Sequence, residues 1–524
     1  MDFPLLTALI FTPTFGAIFL GFLPSSDARS IRRAALTFAF VPLAISLRVL
    51  VRFDGSRADF QMTERHSWLP DFGVQYLLGI DGVSLFLVLL TTLLTVLVIL
   101  SSFGDVHKRV REYMMLMLVL ETGMLGTFLA LDLILFYVFW EVMLVPMYLL
   151  IGVWGGPRRI YAAIKFALYT MFGSLLMLVA ILYLAVLHKQ AHGSLSFDLL
   201  KLYELAIPGT AQLWLFAAFG LAFAIKVPMF PFHTWLPDAH VEAPTGGSVI
   251  LAGVLLKMGT YGFLRFALPL FPEAAIAAAP YLMVLAIIGI IYGALVAMVQ
   301  PDLKKLVAYS SVSHLGFVML GLAALNVEGM SGSLYQMLNH GLSTGALFLA
   351  VGAIYERRHT RLISDFGGLW KVLPLYSSLF LIVMLSSAGL PGLNGFVGEF
   401  LCLLGAFGRN PWYAVFAVSG VILGAVYLTW MFQRVIFGPI THEENRKLED
   451  LSRREILVFA PIVALVFFMG VYPKPLLSRM EPSIAAILAH VERGSRHKGP
   501  GSSKPDEAPT TEAAAAPLAT AKAL

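Results

Sequence analysis

A short series of ionisable residues lies inside apolar stretches of the sequence, where charged side chains are rare. In chain order they are Glu141, Lys226, Lys257, His314, His340 and Glu399. A charge at the centre of a membrane-spanning helix costs about 2.5–3.5 kcal/mol and is tolerated mainly when it is paired or faces a wet interior. Carboxyl, amino and imidazole groups can each take up and release a proton. The series is therefore suited to passing protons through a membrane.

Glu141 and Lys226 are expected to form an acid–base pair at the start of this series. Burial and a neighbouring carboxylate change the proton affinity of a lysine in opposite directions, so movement of Glu141 would load or release a proton at Lys226. Neutral imidazoles and water would carry the proton onward through His314 and His340 to Glu399. This hypothesis predicts a proton path along the membrane plane between two half-channels.

Several residues of the series also have a structural interpretation, which the sequence leaves open. Glu141 and Lys226 are consistent with a static ion pair between two helices, and Lys257 with a side chain that extends to the membrane surface. His314 is consistent with a core histidine bonded to neighbouring serines, whereas the polar neighbours of His340 favour the functional interpretation.

Four other ionisable residues have no role assigned from the sequence. Lys165 and Glu121 lie nearer the ends of their apolar stretches, where a surface-reaching side chain or a loop contact is expected. Lys304 and Lys305 belong to a basic loop.

Two prolines interrupt the apolar stretch that contains Lys226. Pro228 and Pro231 have no N–H, so they cannot donate to the carbonyls of Ala224 and Val227. We expect these two carbonyls to be left for water or an ammonium group. Backbone opened at membrane depth is tolerated only where protein or water satisfies it, although a packing kink is the simpler alternative.

A second break is expected at Pro391, which withholds a donor from Ser387 and precedes Glu399. Two broken helices, each with an ionisable residue nearby, resemble the corresponding elements of two inverted repeats. The match is limited to the architecture, because the order of the residues differs. Lys226 precedes its prolines, whereas Glu399 follows Pro391.

Composition indicates a membrane protein. Of 524 residues, 58% are hydrophobic and only 13% are charged, which is too little polar surface for a water-soluble globule. Apolar runs of about 20 residues recur throughout, as spanning helices require. We expect an all-α polytopic fold of about fourteen spans, with the run at residues 374–408 long enough for a helix, a break and another helix.

Several other classes of protein are not supported by the sequence. The single cysteine, Cys402, excludes an internal disulfide and a cysteine-ligated cluster, and the twelve histidines show no metal-ligand spacing. No nucleotide-binding loop is present, so neither redox nor nucleotide chemistry is expected from this chain. The formal charge of +5 is explained by basic loops on one side of a membrane rather than by nucleic acid.

Basic residues concentrate in alternate loops, which predicts the orientation. These loops lie at residues 29–33, 108–111, 158–159, 304–305, 357–371 and 446–454. Because such loops face the cytoplasm, both termini are expected on the periplasmic side. The first apolar run lacks the features of a signal peptide and is expected to be a retained helix. The Gly-, Ser-, Pro- and Ala-rich tail at residues 493–524 is expected to be disordered.

Taken together, these motifs resemble the antiporter-like membrane subunits of respiratory complex I, and most closely the subunit M type of bacterial NADH:quinone oxidoreductase, the counterpart of mitochondrial subunit 4. The resemblance covers residues 78–437. The motifs that carry it lie at residues 79–82, 139–146, 226–244, 247–257, 302–314 and 389–399.

The resemblance implies an architecture and a role for each residue of the series. Two inverted five-helix repeats would occupy residues 112–268 and 269–437, preceded by three helices at 1–111 and followed by a last span and a C-terminal segment at 438–492. Glu141 and Lys226 would be the input pair and Lys257 the central relay. His314 and His340 would connect the repeats, and Glu399 would be the output group. The related subunits L and N usually have a lysine at the output position, so Glu399 favours subunit M.

The resemblance also implies partners and cofactors. FMN, iron–sulfur clusters and quinone would be bound by partner subunits and none of them by this chain. Subunits L and N would lie on either flank, with lipid around them, in the bacterial inner membrane.

Three alternatives use similar broken helices. They are a subunit of a multi-subunit Na⁺/H⁺ antiporter, a subunit of a membrane-bound hydrogenase, and a secondary solute transporter.

Overall fold

A computed structural model describes residues 4–496 of the chain and is 79% helical, which confirms the all-α polytopic class. Thirteen helices in this part of the chain are long and apolar enough to cross a membrane. The remaining expected span, at residues 374–408, is the predicted broken pair of shorter helices. The tail expected to be disordered lies outside the described residues from position 497 onward, and residues 493–496 complete the last helix.

The N-terminal unit contains three long helices and a β-hairpin. Its elements are α1 (Leu5–Phe22), α2 (Ala28–Arg52), β1 (Gln61–Leu69), β2 (Val74–Ile80) and α3 (Leu85–Asp105). The hairpin was not expected from the sequence. Gly73 at its turn has φ 72°, a left-handed conformation that favours glycine, and the exposed side of β1 carries polar residues. The hairpin covers the end of the helical bundle opposite the basic loops.

The first repeat predicted at residues 112–268 contains helices of very different lengths. They are α4 (Val110–Leu129), α5 (Leu133–Val142), α6 (Leu144–Trp154), α7 (Arg159–His192), α8 (Leu199–Tyr203), α9 (Gly209–Lys226), α10 (Trp235–Glu242), α11 (Thr245–Ile250), α12 (Leu256–Gly262) and α13 (Leu268–Leu270). Asp132 caps α5 by accepting the N–H groups of Ile134 and Leu135, and burial raises the pKa of its carboxyl to about 6.

The last three of these helices form one continuous span that changes its winding twice. Segments Leu251–Leu255 and Phe263–Ala267 are π-helical and lie on either side of α12. Single π-turns inside α-helices are rare and often mark functional sites. This span is completely buried within the chain.

The segments predicted as the second repeat and the C-terminal part complete the bundle. They contain α14 (Pro272–Met298), α15 (Leu303–Ala323), α16 (Val327–Arg358), α17 (Pro374–Ser387), α18 (Asn394–Arg409), α19 (Pro411–Ile436), α20 (Arg453–Val471) and α21 (Lys474–Arg496). In their most apolar 18-residue stretches α15 and α16 are 94% and 100% buried, whereas α7, α14 and α19 expose wide apolar faces. The bundle therefore has a centre made of the α11–α13 span, α15 and α16, and these three spans carry Lys257, His314 and His340.

The helix α21 lies across this bundle on the hairpin side. The hydroxyl of Ser483 accepts the backbone N–H of Gly82, and the ring of His490 contacts the carbonyl of Pro269. The helix thus contacts both the N-terminal unit and α13.

Candidate proton-relay site

Lys226 is the last residue of α9, and its buried side chain points between aromatic rings. Its Nζ lies 5.0 Å from the centroid of the Trp140 ring and 5.9 Å from that of Phe166. Such rings stabilise a cation through the electron density of their faces. Glu141, half-buried on α5, is near enough to act electrostatically on Lys226, but no direct ion pair joins the two in the described structure. The two residues are placed as neighbours without the contact of a static pair.

The chain breaks after Lys226, as the prolines predicted, but one expected consequence is wrong. The carbonyl of Ala224 is not left open, because it accepts the N–H of Met229 at 2.9 Å. The chain turns tightly enough after α9 for this donor to replace the one that Pro228 lacks. The indole of Trp235 in turn donates to the carbonyl of Ile225 at 2.9 Å. The carbonyls of Ala224 and Ile225 are therefore satisfied by the protein's own donors, whereas the described hydrogen bonds include none to the carbonyl of Val227.

Lys257 lies in α12, between the two π-helical segments, and is fully buried. Its Nζ donates to the carbonyl of Ala252 and lies 2.6 Å from Nδ1 of His340. The surface-reaching interpretation of Lys257 is therefore wrong. The π-helical winding leaves carbonyls in irregular positions, and the amine uses one of them. Nothing in the residue pattern had indicated this winding.

From His340 the series continues to His314 of α15 and then to Glu399 of α18. The imidazoles of His340 and His314 lie 6.0 Å apart between ring centroids, and Nδ1 of His314 lies 2.9 Å from Oε1 of Glu399. A small polar cavity touches both rings, and the Nε2 atom of each ring has no hydrogen-bond partner among the described residues. One water molecule in such a cavity would join the rings. Direct contacts thus join Lys257 to His340 and His314 to Glu399, and one small cavity lies between the two pairs.

The second break lies between α17 and α18, as predicted around Pro391. Gly389 has φ 74°, and a Cβ added there would lie 2.9 Å from Oε2 of Glu399. Glycine at this position therefore permits both the turn and the close approach of the carboxylate.

His240 and Lys304 are buried ionisable residues whose place in the site the sequence did not indicate. Both ring nitrogens of His240 lack a partner in the described part of the chain, and its ring stacks on Phe348 at 4.5 Å. It is near enough to Lys304, Lys257 and His340 for electrostatic interaction. In the sequence, the only indication of this role was the position of His240 between the break and a long apolar run.

Lys304 connects this region to a cavity at the basic-loop end of the bundle. Its Nζ donates to the carbonyl of Ala243 at 2.5 Å, and Lys304 lines a cavity of about 250 Å³ together with Glu242, Arg361 and Glu356. The neighbouring Lys305 is only half-buried. The two lysines therefore differ, and only Lys304 belongs to the interior.

The expectations for Glu121 and Lys165 have different outcomes. Glu121 lies within α4 rather than at a surface, is fully buried, and neither of its carboxyl oxygens has a hydrogen-bond partner among the described residues. The surface-reaching interpretation is therefore wrong for Glu121, because two further turns of helix separate it from the end of α4. Lys165 forms an ion pair with Asp238 of α10 at 2.7 Å, so its partner is the segment after the first break.

Comparisons with known proteins agree with this architecture. A family model described as "NADH:quinone oxidoreductase/Mrp antiporter, TM" matches residues 130–424, and one described as "NADH-ubiquinone oxidoreductase chain 4, amino terminus" matches residues 59–129. The NADH-quinone oxidoreductase subunit M of Rhodobacter capsulatus is 46% identical over 94% of this chain and 98% of that protein. This chain belongs to the subunit M/chain 4 family of NADH:quinone oxidoreductases.

A mitochondrial-type relative and a solved structure are also similar to this chain over nearly its whole length. The NADH-ubiquinone oxidoreductase chain 4 of Marchantia polymorpha is 45% identical over 93% of this chain and 97% of its own length. A chain of respiratory complex I from Thermus thermophilus superposes with a TM-score of 0.85 at 35% identity, over 93% of this chain and 99% of that chain. Family membership makes this chain a membrane-spanning part of a multi-subunit NADH:quinone oxidoreductase.

The fold is shared more widely than the family. A chain of the Mrp complex from Dietzia sp. DQ12-45-1b has a TM-score of 0.80 at 21% identity, over 94% of this chain and all of that chain. At that identity the likeness extends to the fold alone.

Proposed function

We propose that this chain translocates protons through the membrane domain of NADH:quinone oxidoreductase, driven by quinone reduction elsewhere in the complex. The observation that carries the proposal is two direct contacts, Lys257 with His340 and His314 with Glu399, whose histidine rings lie 6.0 Å apart beside one cavity. The lysine and the two histidines lie on the three most buried spans. Buried ionisable groups in membrane spans that face the protein interior are typical of proton pathways.

The proposed proton path runs from the first broken helix to the second. Glu141 and Lys226, beside the first break, are the input pair of one half-channel, and Glu399, beside the second break, is the output group of the other. Lys257 passes the proton between the repeats at residues 112–268 and 269–437. The close but unbonded placement of Glu141 and Lys226 supports a pair whose separation changes during the cycle.

The redox chemistry belongs to partner subunits in this proposal. FMN, iron–sulfur clusters and quinone are bound by those subunits, and this chain carries no redox centre. The apolar faces of α7 and α19 support contact with lipid and with subunits L and N on either flank. The chain lies in the bacterial inner membrane with both termini periplasmic, as the basic loops indicate.

A second candidate function is a subunit of a multi-subunit Na⁺/H⁺ antiporter of the Mrp type. The observation that favours it is the family model, whose description names that antiporter together with the oxidoreductase. Proton uptake that depends on NADH distinguishes the two, because the antiporter needs no electron transfer.

Lys226→Met is expected to lower NADH-dependent proton uptake by at least about tenfold, because it removes a proton-accepting group from one step of the relay. The measurement is proton uptake into membrane vesicles, with the amount of assembled complex determined in parallel. Lys189→Met, at an exposed position near the end of α7, is the matched control and should pump normally. Unaltered pumping by Lys226→Met in assembled complex would exclude this lysine from the path.

Gly389→Ala is expected to lower pumping as well. The left-handed backbone costs a non-glycine residue about 1–2 kcal/mol, and the added methyl group would displace the carboxylate of Glu399. Vesicle pumping should be compared with that of Gly424→Ala, a helical glycine with no atom within 4 Å of its added Cβ. Equal pumping by the two variants would show that the position of Glu399 is not critical.

A further inference from the structure

The carboxylate of Glu399 has a second neighbour that the relay does not include. Nε2 of Gln336 donates to Oε1 of Glu399 at 3.2 Å, and this is the same oxygen that lies 2.9 Å from Nδ1 of His314. Gln336 and Glu399 are 2% and 4% exposed. One oxygen of the carboxylate therefore holds both contacts, which determines the side that it presents to His314.

Gln336 is itself held in one orientation by Asn339, one turn further along α16. Nδ2 of Asn339 donates to Oε1 of Gln336 at 2.9 Å and to the backbone carbonyl of Asn394 at 2.8 Å. Because Oε1 of Gln336 accepts a hydrogen bond, its amide nitrogen must face Glu399. Asn394 is the first residue of α18, so the chain of amides begins at the second break and ends on Glu399.

Two glycines make room for this arrangement. A Cβ at Gly398 would collide with the side-chain amides of Gln336 and Asn339, so glycine there allows α16 to approach α18 closely. On the opposite side of the carboxylate, Oε2 faces Gly389 of the break. Glu399 is thus confined from both sides, and its carboxylate cannot turn without breaking the bond from Gln336.

We propose that Gln336, oriented by Asn339, is a positioning residue that keeps Oε1 of Glu399 against Nδ1 of His314 so that proton exchange occurs at this one oxygen. The inference rests on the proposed function, because it assumes that Glu399 and His314 exchange protons. Gln336 carries no proton in this scheme. It also links the geometry of the exchange to the backbone of the second break through Asn339.

The test uses Gln336→Met in the assembled complex, because Met has a similar length and no donor. The rate of NADH-driven proton uptake should fall by about tenfold, the effect expected for loss of one hydrogen bond to a charged group. The infrared carboxyl band of Glu399, identified by its absence in Glu399→Gln, should shift. Ser333→Ala is the matched control, since this buried serine of α16 has no hydrogen-bond partner among the described residues, and it should change neither measurement.

The outcomes are distinguishable. A Gln336→Met complex with normal pumping overturns the inference, and so does one with impaired pumping and an unshifted Glu399 band, which indicates a packing role. If Gln336→Met fails to assemble, Asn339→Leu replaces it. That variant keeps Gln336 but removes the hydrogen bond from Asn339 that orients it. The infrared carboxyl band of Glu399 must shift in this variant too. Normal pumping by Glu399→Gln would instead refute the role of Glu399 in the proposed function.

Discussion

Replacement of Lys257 by Met is expected to reduce proton pumping by about 100-fold or more while the complex still assembles. Lys257 is fully buried, and its amine is the group that joins the α11–α13 span to His340 of α16, at 2.6 Å. Met preserves the length and apolar volume of the side chain but removes the proton-accepting nitrogen. Loss of a group that transfers the proton directly typically costs a factor of 10²–10⁴.

The measurement is NADH-driven proton uptake in vesicles, with NADH oxidation and assembled complex quantified on the same membranes. Lys305→Met, a half-buried lysine of α15, is the control and should pump like the parent. Lys257→Arg separates charge from proton exchange, since arginine keeps its charge and does not release its proton. If the Lys257→Arg complex pumps protons as well as the parent, Lys257 acts as a fixed charge and the relay role is wrong.

Replacement of Arg265 by Met is expected to have the largest effect on stability. Arg265 and Asp81 form a buried ion pair at 2.5 Å, and both are nearly inaccessible to solvent. The guanidinium also lies 4.8 Å from the centroid of the Phe60 ring. Breaking a buried pair by removing one partner typically costs about 3–5 kcal/mol, because the remaining charge stays buried. Thermal inactivation of the solubilised complex and the amount of assembled subunit are the measurements.

A second substitution distinguishes the ion pair from general packing. Asp81→Leu combined with Arg265→Met should recover part of the loss, since no isolated charge then remains. Arg57→Met, which removes one partner of the exposed Arg57–Asp59 pair, should leave the complex unchanged. If the double variant is less stable than Arg265→Met alone, the two side chains stabilise the complex by more than the balance of their charges.

The fold was largely predictable because its signals are local. Apolar runs indicate spans, and the prolines at 228, 231 and 391 indicate the breaks. Both signals are independent of residues that are distant in the sequence. The π-helical segments beside Lys257 were not predictable, since no residue type specifies them. The closure of the Ala224 carbonyl by Met229 was missed for a related reason, because it depends on how tightly the chain turns after α9.

The candidate site was predictable in its residues but not in its contacts. Hydropathy identified Lys257, His340 and Glu399 because each is costly in an apolar span. Their bonds join positions 83 and 85 residues apart, such as Lys257 with His340 and His314 with Glu399, and no periodic pattern encodes such pairs. Gln336 was missed because an uncharged amide does not stand out from its helix.

The contact between Ser483 and Gly82 has a consequence for biogenesis. These residues are 401 positions apart in the chain, and the helix α21 that carries Ser483 is the last described element to be synthesised. Spans are inserted in order during translation, so the loop before α3 remains uncovered until nearly the whole polypeptide has left the ribosome. A subunit truncated before α21 would keep every helix that is long and apolar enough to span the membrane, yet would expose this loop.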